Sequence, residues 1–345
     1  MRYLFGFLCV FALGLVGCSE SDSGTEAIEW AASTAAVKTD PEKIGYGITH
    51  NTTASSEFQW LTDVDDYKPV YSPDGTQIAF FRVFDYGDGR IPSYQNKICV
   101  VDADGSNLRE LTVGEHADFN PHWTRDGTNQ ITFTRFTIPF SQKVYRTSPD
   151  AEPGDEQLIS RPEPDYFEFG YSSLKDGRVL VRREFPALGY FLMTPNPGGT
   201  PTYEAISHPG DEQTFMHKMT ISPSETKVAY MKLDGITIPD IIAQRVYLGS
   251  AITYADFDAD SLAISNEVDT GAPEPARWNG YPHWDADEET ILYTNFGTCA
   301  PVVTPADCVR SGVIMAYSLR TGEHTQISSH DELVYGYVAA VGVLR

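Results

Sequence analysis

The sequence is short of positive charge: 25 lysines and arginines stand against 48 aspartates and glutamates, a formal net charge of -23 over 345 residues. An excess of that size repels phosphate backbones and anionic headgroups within a Debye length, which sets nucleic acid aside as a partner. It favours solubility, and it would also suit a cationic ligand or a calcium-rich setting. No Gly-x-Ser-x-Gly occurs, so the exposed serine of a nucleophile elbow is missing. The nearest stretch, Gly170-Tyr171-Ser172-Ser173-Leu174, lacks the closing glycine. His-Glu-x-x-His is absent too, which removes the zinc site that two histidines build on one helix face. Apolar residues are not scarce: at 41% they are ample for a core, and general disorder is excluded.

Cysteine is sparse, with five in the chain, and each position reads differently. Arg2, the apolar run Tyr3 to Val16 and then Gly17-Cys18 form a signal-peptide pattern over residues 1–17, which takes Cys9 with it. The ending Leu15-Val16-Gly17-Cys18 resembles the lipobox of bacterial lipoproteins. The resemblance implies cleavage before Cys18 and acylation of that residue, with membrane attachment through the lipid alone. Ser19 in the following position implies an outer-membrane lipoprotein, on the periplasmic face or at the cell surface. Residues 18–42, rich in Ser, Thr, Ala and Glu, read as the lipidated cysteine and a flexible tether. Cys299 and Cys308 flank a proline-containing loop in a compartment where disulfides persist, and a bridge between them is expected. Cys99, inside Ile98-Cys99-Val100-Val101, reads as a buried strand residue.

From residue 43 onward the chain repeats itself. The first copy runs Tyr67-Lys68-Pro69-Val70-Tyr71, the turn Ser72-Pro73-Asp74-Gly75, then Gln77-Ile78-Ala79-Phe80-Phe81. It continues with Lys97 to Val101, a second turn at Asp102-Ala103-Asp104-Gly105, and Leu108-Arg109-Glu110-Leu111-Thr112. Pro73 presets the first corner of the first turn, and glycine takes the position needing positive φ in both, so both read as hairpins and one copy is four antiparallel strands. The pattern returns at Asn120-Pro121-His122-Trp123, at Lys175-Asp176-Gly177, at Ile221-Ser222-Pro223 and at Tyr281-Pro282-His283-Trp284. A four-stranded unit of this kind cannot bury both faces alone, so the units must stack around a ring. A blade ending at Glu57 to Thr62 has no beginning, and a strand start from Val334 has no sequel. Pairing these N- and C-terminal strands would complete a sixth blade and remove the open edges. The expected fold is therefore all-β: a single β-propeller over residues 43–345, of six four-stranded blades.

These turns resemble the repeat of the TolB-like β-propeller family, marked by Pro-x-Trp-Ser-Pro-Asp-Gly and a later Asp-Ala-Asp-Gly before Leu-Thr. That resemblance implies the fold but leaves activity open, since the repeat serves binding proteins, oligopeptidases and oligogalacturonate lyases alike.

Three groups of residues are candidates for function. His122, His217 and His283 lie on innermost strands and could converge near the axis to hold manganese or zinc, an arrangement that resembles the lyases of this fold. The alternative is that they pack within the blade stack. Asp256, Asp258 and Asp260 alternate like calcium ligands, yet they fall where the first copy has its acidic turn. Phe84, Tyr86, Arg90 and Tyr94 lie in the long loop from Arg82 to Asn96, which with the loops Phe136 to Lys143 and Phe296 to Gly312 would form a binding rim. The expected function is a lipid-anchored envelope module that binds or scaffolds a protein or glycan, without cofactor. The alternative is a metal-dependent, polysaccharide-active enzyme using the three histidines.

Overall fold

The computed structural model describes residues 29–37, 44–52, 59–62, 66–83, 95–137, 141–164, 166–185, 188–208, 216–237, 245–271, 279–295, 313–328 and 338–340. Every regular element among them is a strand. The first repeat gives β4 (Asp66–Tyr71), β5 (Gln77–Val83), β6 (Asn96–Asp102) and β7 (Arg109–Glu110), paired in that order. The second gives β8 (Ala117–Trp123), β9 (Ile131–Thr137), β10 (Ser141–Thr147) and β11 (Gln157–Leu158). The third gives β12 (Phe167–Ser173), β13 (Val179–Phe185), β14 (Gly189–Thr194) and β15 (Thr202–Ala205). These two units share one sheet through a single parallel pair, Gln142 with Phe167. The fourth sheet is β16 (Met216–Ile221), β17 (Lys227–Thr237), β18 (Arg245–Asp258) and β19 (Ala263–Asp269). The fifth is β20 (Asn279–Trp284), β21 (Thr290–Asn295), β22 (Val313–Ser318) and β23 (His324–Gln326).

The terminal segments form the remaining sheet, in the order β24 (Val338–Ala340), β1 (Glu29–Val37), β2 (Ile44–Thr52) and β3 (Gln59–Trp60). Trp30 pairs with Ala340 and Ala32 with Val338. The first strands of the six units touch in succession, β4 to β8, β12, β16, β20 and β24, and β24 touches β4 again. The ring is closed. Residues 18–42 were expected to be tether throughout, whereas Glu29–Val37 supplies the strand that joins the C-terminal segment to the rest of its sheet. The loop expected from Phe136 to Lys143 is also shorter, because Phe136 pairs with Gln142 and Thr137 with Ser141 as the hairpin continues.

Strand alternation explains how each sheet serves two neighbours. Ile78 and Phe80 pack with Ile48 of the terminal sheet and Leu292 of the fifth, while Ala79 between them packs against Trp123 and Phe133 of the second. Side chains on a strand point alternately to opposite faces, and here both faces are covered. The hairpin turns hold by short side-chain bonds: Asp74 Oδ1 accepts from the Ser72 hydroxyl at 2.6 Å and from the Thr76 N–H at 3.0 Å. Gly75 takes the left-handed φ of 72° that the turn demands. In the fifth copy Glu288 holds that conformation at 56° without glycine, a strained choice for a side chain with a Cβ.

Candidate functional site

Each of the first five innermost strands is broken by a bulge. The register slips between Tyr67 and Val70, Phe119 and His122, Gly170 and Ser172, His217 and Thr220, and Gly280 and His283. At four of the bulges a non-glycine residue has positive φ: Lys68, Asn120, Lys218 and Tyr281. A bulge re-aims a side chain out of the pleat, and these four meet around the axis. The Lys68 ammonium donates to Asn120 Oδ1 at 3.1 Å and lies 5.4 Å from the centre of the Tyr281 ring. Asn120 Nδ2 donates to the Gly170 carbonyl. The Lys218 ammonium lies 5.6 Å from the same Tyr281 ring and 5.7 Å from that of Tyr171.

Two positions further along the same strands, His122, Ser172, Thr220 and His283 line a cavity of about 100 Å³, room for several waters or one small ligand. Trp123 and Trp284 form part of its wall, and Arg125 lines it from the first hairpin turn of the second blade. Both tryptophans also tie blades together. Trp123 Nε1 donates to the Val70 carbonyl at 3.0 Å, and Trp284 Nε1 to the Thr220 carbonyl at 3.4 Å. Arg125 donates to the Ile221 and Ser222 carbonyls at 3.4 and 3.0 Å, reaching from the second blade to the fourth.

Burial dominates the electrostatics here. It pushes His122 down to about 3, with the Lys68, His283 and Lys218 charges adding to the effect, and pushes His283 down to about 4. Both imidazoles are neutral at physiological pH. Burial also lowers Lys68 well below the ordinary lysine value, and Lys218, within hydrogen-bonding reach, lowers it further. Two polar atoms in the cavity wall, His122 Nε2 and Ser172 Oγ, are buried and have no hydrogen-bond partner among the described residues.

The carboxylates on the first three innermost strands are already engaged. Arg82 grips Asp66 at 2.8 and 3.0 Å, Arg135 grips Asp118 at 2.7 and 2.8 Å, and Arg183 binds Glu168 at 2.8 Å. In each of the first three blades one acidic residue is thus paired with an arginine of the next strand.

The three candidate histidines separate. His122 and His283 share the cavity, whereas His217 sits beside Arg182, its Nε2 3.4 Å from the guanidinium, and is not part of the cavity wall. The reason is register: His122 and His283 follow their bulge residues by two positions, while His217 precedes Lys218. Two imidazoles with ammoniums beside them and no carboxylate in the wall do not fit manganese or zinc. Among the described residues no three histidine, cysteine, aspartate or glutamate side chains converge as metal ligands.

The acidic run behaves as a turn. Asp258 accepts from the Asp260 and Ser261 N–H groups and from the Ser261 hydroxyl, and Asp256 binds Asn266 Nδ2 at 2.7 Å. These bonds lie within the hairpin. Cys99 is a free thiol with no exposed surface, and burial pushes its pKa up. Cys18, Cys299 with Cys308, and the rim residues Phe84, Tyr86, Arg90 and Tyr94 lie outside the described residues.

Lys68 and Lys218 were missed in the sequence. Each stands, with Asn120, Gly170 and Tyr281, two positions before a cavity-lining residue of its innermost strand, a column in which no residue type recurs as a marker.

No protein-family model matches this sequence, and no curated protein matches it. Solved structures do. TolB from Acinetobacter baumannii superposes with a TM-score of 0.60 at 12% identity, over 88% of this chain and 64% of that one. Hydrazine synthase from Kuenenia stuttgartiensis gives 0.57 at 14%, over 92% and 47%. The β-propeller domain of the Trilobed protease from Pyrococcus furiosus, described as having an open velcro topology, gives 0.53 at 11%, over 88% and 95%. This chain therefore spans less than two thirds of the first two. At such identities the likeness speaks for architecture alone, and the architecture is that of a TolB-like β-propeller.

Proposed function

We propose that this protein is an exported, lipid-anchored propeller of the cell envelope that binds a protein or glycan partner rather than transforming a substrate. One observation carries the reading: Ser172 Oγ and His122 Nε2 line the same cavity, and among the described residues neither has a hydrogen-bond partner. A serine becomes a nucleophile when a base lies within about 2.6–3.2 Å of its hydroxyl, and a third group must orient that base. Here the pair is not joined, and the cavity wall holds no carboxylate to orient the imidazole. The polar groups of the cavity are arranged to receive a ligand. The lipobox-like ending at Cys18 and the TolB-like fold support the envelope address.

Two measurements test this. Cells fed labelled palmitate should label the native protein and not Cys18→Ser, which should leave the membrane fraction. Native protein purified from those membranes should carry no stoichiometric metal. Manganese or zinc at one equivalent, lost in His122→Ala with His283→Ala, would establish the enzyme alternative instead.

A further inference from the structure

The arginine in the wall of the axial cavity is held in place by neutral groups. The Arg125 N–H donates to Ser173 Oγ at 3.0 Å, tying the turn of the second blade to the third, and its Nη1 donates to the Ile221 and Ser222 carbonyls of the fourth. The guanidinium is thus fixed across three blades beside the cavity. With Nη1 occupied, Nε and Nη2 remain, and they have no acceptor among the described residues. Three other arginines of this protein hold carboxylates by that same edge. Arg82 uses Nε and Nη2 on Asp66, Arg135 uses them on Asp118, and Arg183 uses them on Glu168.

Arg125 is the one charged group among the described residues that line the cavity. Burial lowers its pKa below the ordinary arginine value even though Glu225 and Glu288 favour the cation. Those two carboxylates accept elsewhere, Glu225 from the Lys175 N–H and Glu288 from the Ser224 hydroxyl, and neither lines the cavity. A guanidinium fork matches the two oxygens of a carboxylate, and a single positive charge is balanced by a single negative one.

The rest of the wall constrains the body of such a ligand. Val70, Ile221, Trp123 and Trp284 supply apolar surface, while Ser172 Oγ and His122 Nε2, buried and unpartnered among the described residues, can each meet a polar atom. The cavity of about 100 Å³ is smaller than the roughly 150 Å³ that receives a benzene, so it suits a body of about four to six non-hydrogen atoms. We propose that the axial cavity binds a small monocarboxylate, its carboxylate held by Nε and Nη2 of Arg125 and its short body lying against Trp123 and Trp284, within reach of Ser172 and His122. This deepens the binding reading above and rests on it.

The test is titration calorimetry on the membrane-purified protein in detergent, with acetate, butyrate, butyramide and inorganic phosphate as probes. Butyrate should bind at one site per chain, at least tenfold tighter than its uncharged isostere butyramide and than phosphate, which has no apolar body. Acetate, two methylenes shorter, should bind about tenfold more weakly than butyrate. These comparisons use unaltered protein. Arg125→Met, checked for folding by its denaturation midpoint, should lose tenfold or more of the butyrate affinity, and Arg125→Lys, which retains the charge without the fork, should fall between the two. The proposal is overturned if no carboxylate binds, if butyramide or phosphate binds as tightly as butyrate, or if folded Arg125→Met binds butyrate as the native protein does. Butyramide binding as tightly would leave the cavity a ligand site and refute the carboxylate alone, whereas stoichiometric metal lost on replacing His122 and His283 would sink the binding reading itself.

Discussion

Arg135 holds Asp118 by two parallel bonds, Nε to Oδ1 at 2.7 Å and Nη2 to Oδ2 at 2.8 Å, with the aspartate side chain fully buried. Such a pair joins the innermost strand of a blade to the strand beside it. Removing one partner strands a buried charge, which costs about 3–5 kcal/mol. Asp118→Asn should therefore lower the unfolding free energy by about that amount in urea, and Asp66→Asn should behave similarly. The exposed pair Arg109–Asp150 is the control: Asp150→Asn should change stability by less than about 0.5 kcal/mol. Equal effects at the two sites would contradict the structural reading.

Trp123 does two things, filling the space between the first and second blades and donating to the Val70 carbonyl. The two roles separate by substitution. Trp123→Phe retains most of the apolar volume but strands the carbonyl, for a loss of about 1–3 kcal/mol. Trp123→Ala also opens a cavity and should cost about 3–5 kcal/mol. Denaturation midpoints ranked native, Phe, Ala are expected, and a Phe variant as stable as native would show that the hydrogen bond is inert.

Glu267 accepts from Lys232, Tyr230 and His208. Burial alone would raise its pKa, but these bonds outweigh it and hold the carboxyl at about 2. A folded pKa below the unfolded one contributes stability above the unfolded value. That contribution is lost as pH falls from about 4.5 toward about 2. The site is partly open to solvent, so the contribution is on the order of 1 kcal/mol. Glu267→Gln should flatten this part of the stability profile, measured by urea unfolding across that window. An unchanged acid slope would show that other carboxylates carry it.

Much of the ring was legible because its turns are written in residue types with one meaning: Ser72-Pro73-Asp74-Gly75 can hardly be anything but a hairpin corner. The strand β1 was not. Its residues, Glu-Trp-Ala-Ala-Ser-Thr-Ala-Ala-Val, show no apolar alternation, and it is a strand because β2 and β24 pair on either side of it. The site was half legible for a related reason. His122 and His283 stand before the tryptophan of a recognisable motif, so their shared address can be read directly. The bulge column has no such marker, since Lys68, Asn120, Lys218 and Tyr281 have in common a backbone conformation and not a chemistry. Ignoring that bulge is also what placed His217 with the other two histidines.

The cavity exists only if the ring is closed by its ends, and the pairing of β1 with β24 sets Ala31 opposite Ala339. Cysteines introduced together at these positions, Ala31→Cys with Ala339→Cys, give the most direct test through peptide mapping after mild oxidation. A closed ring predicts a peptide that links residues 31 and 339 in most molecules, with the denaturation midpoint raised. Two thiols that stay free in folded protein, or that link only between molecules, would contradict it.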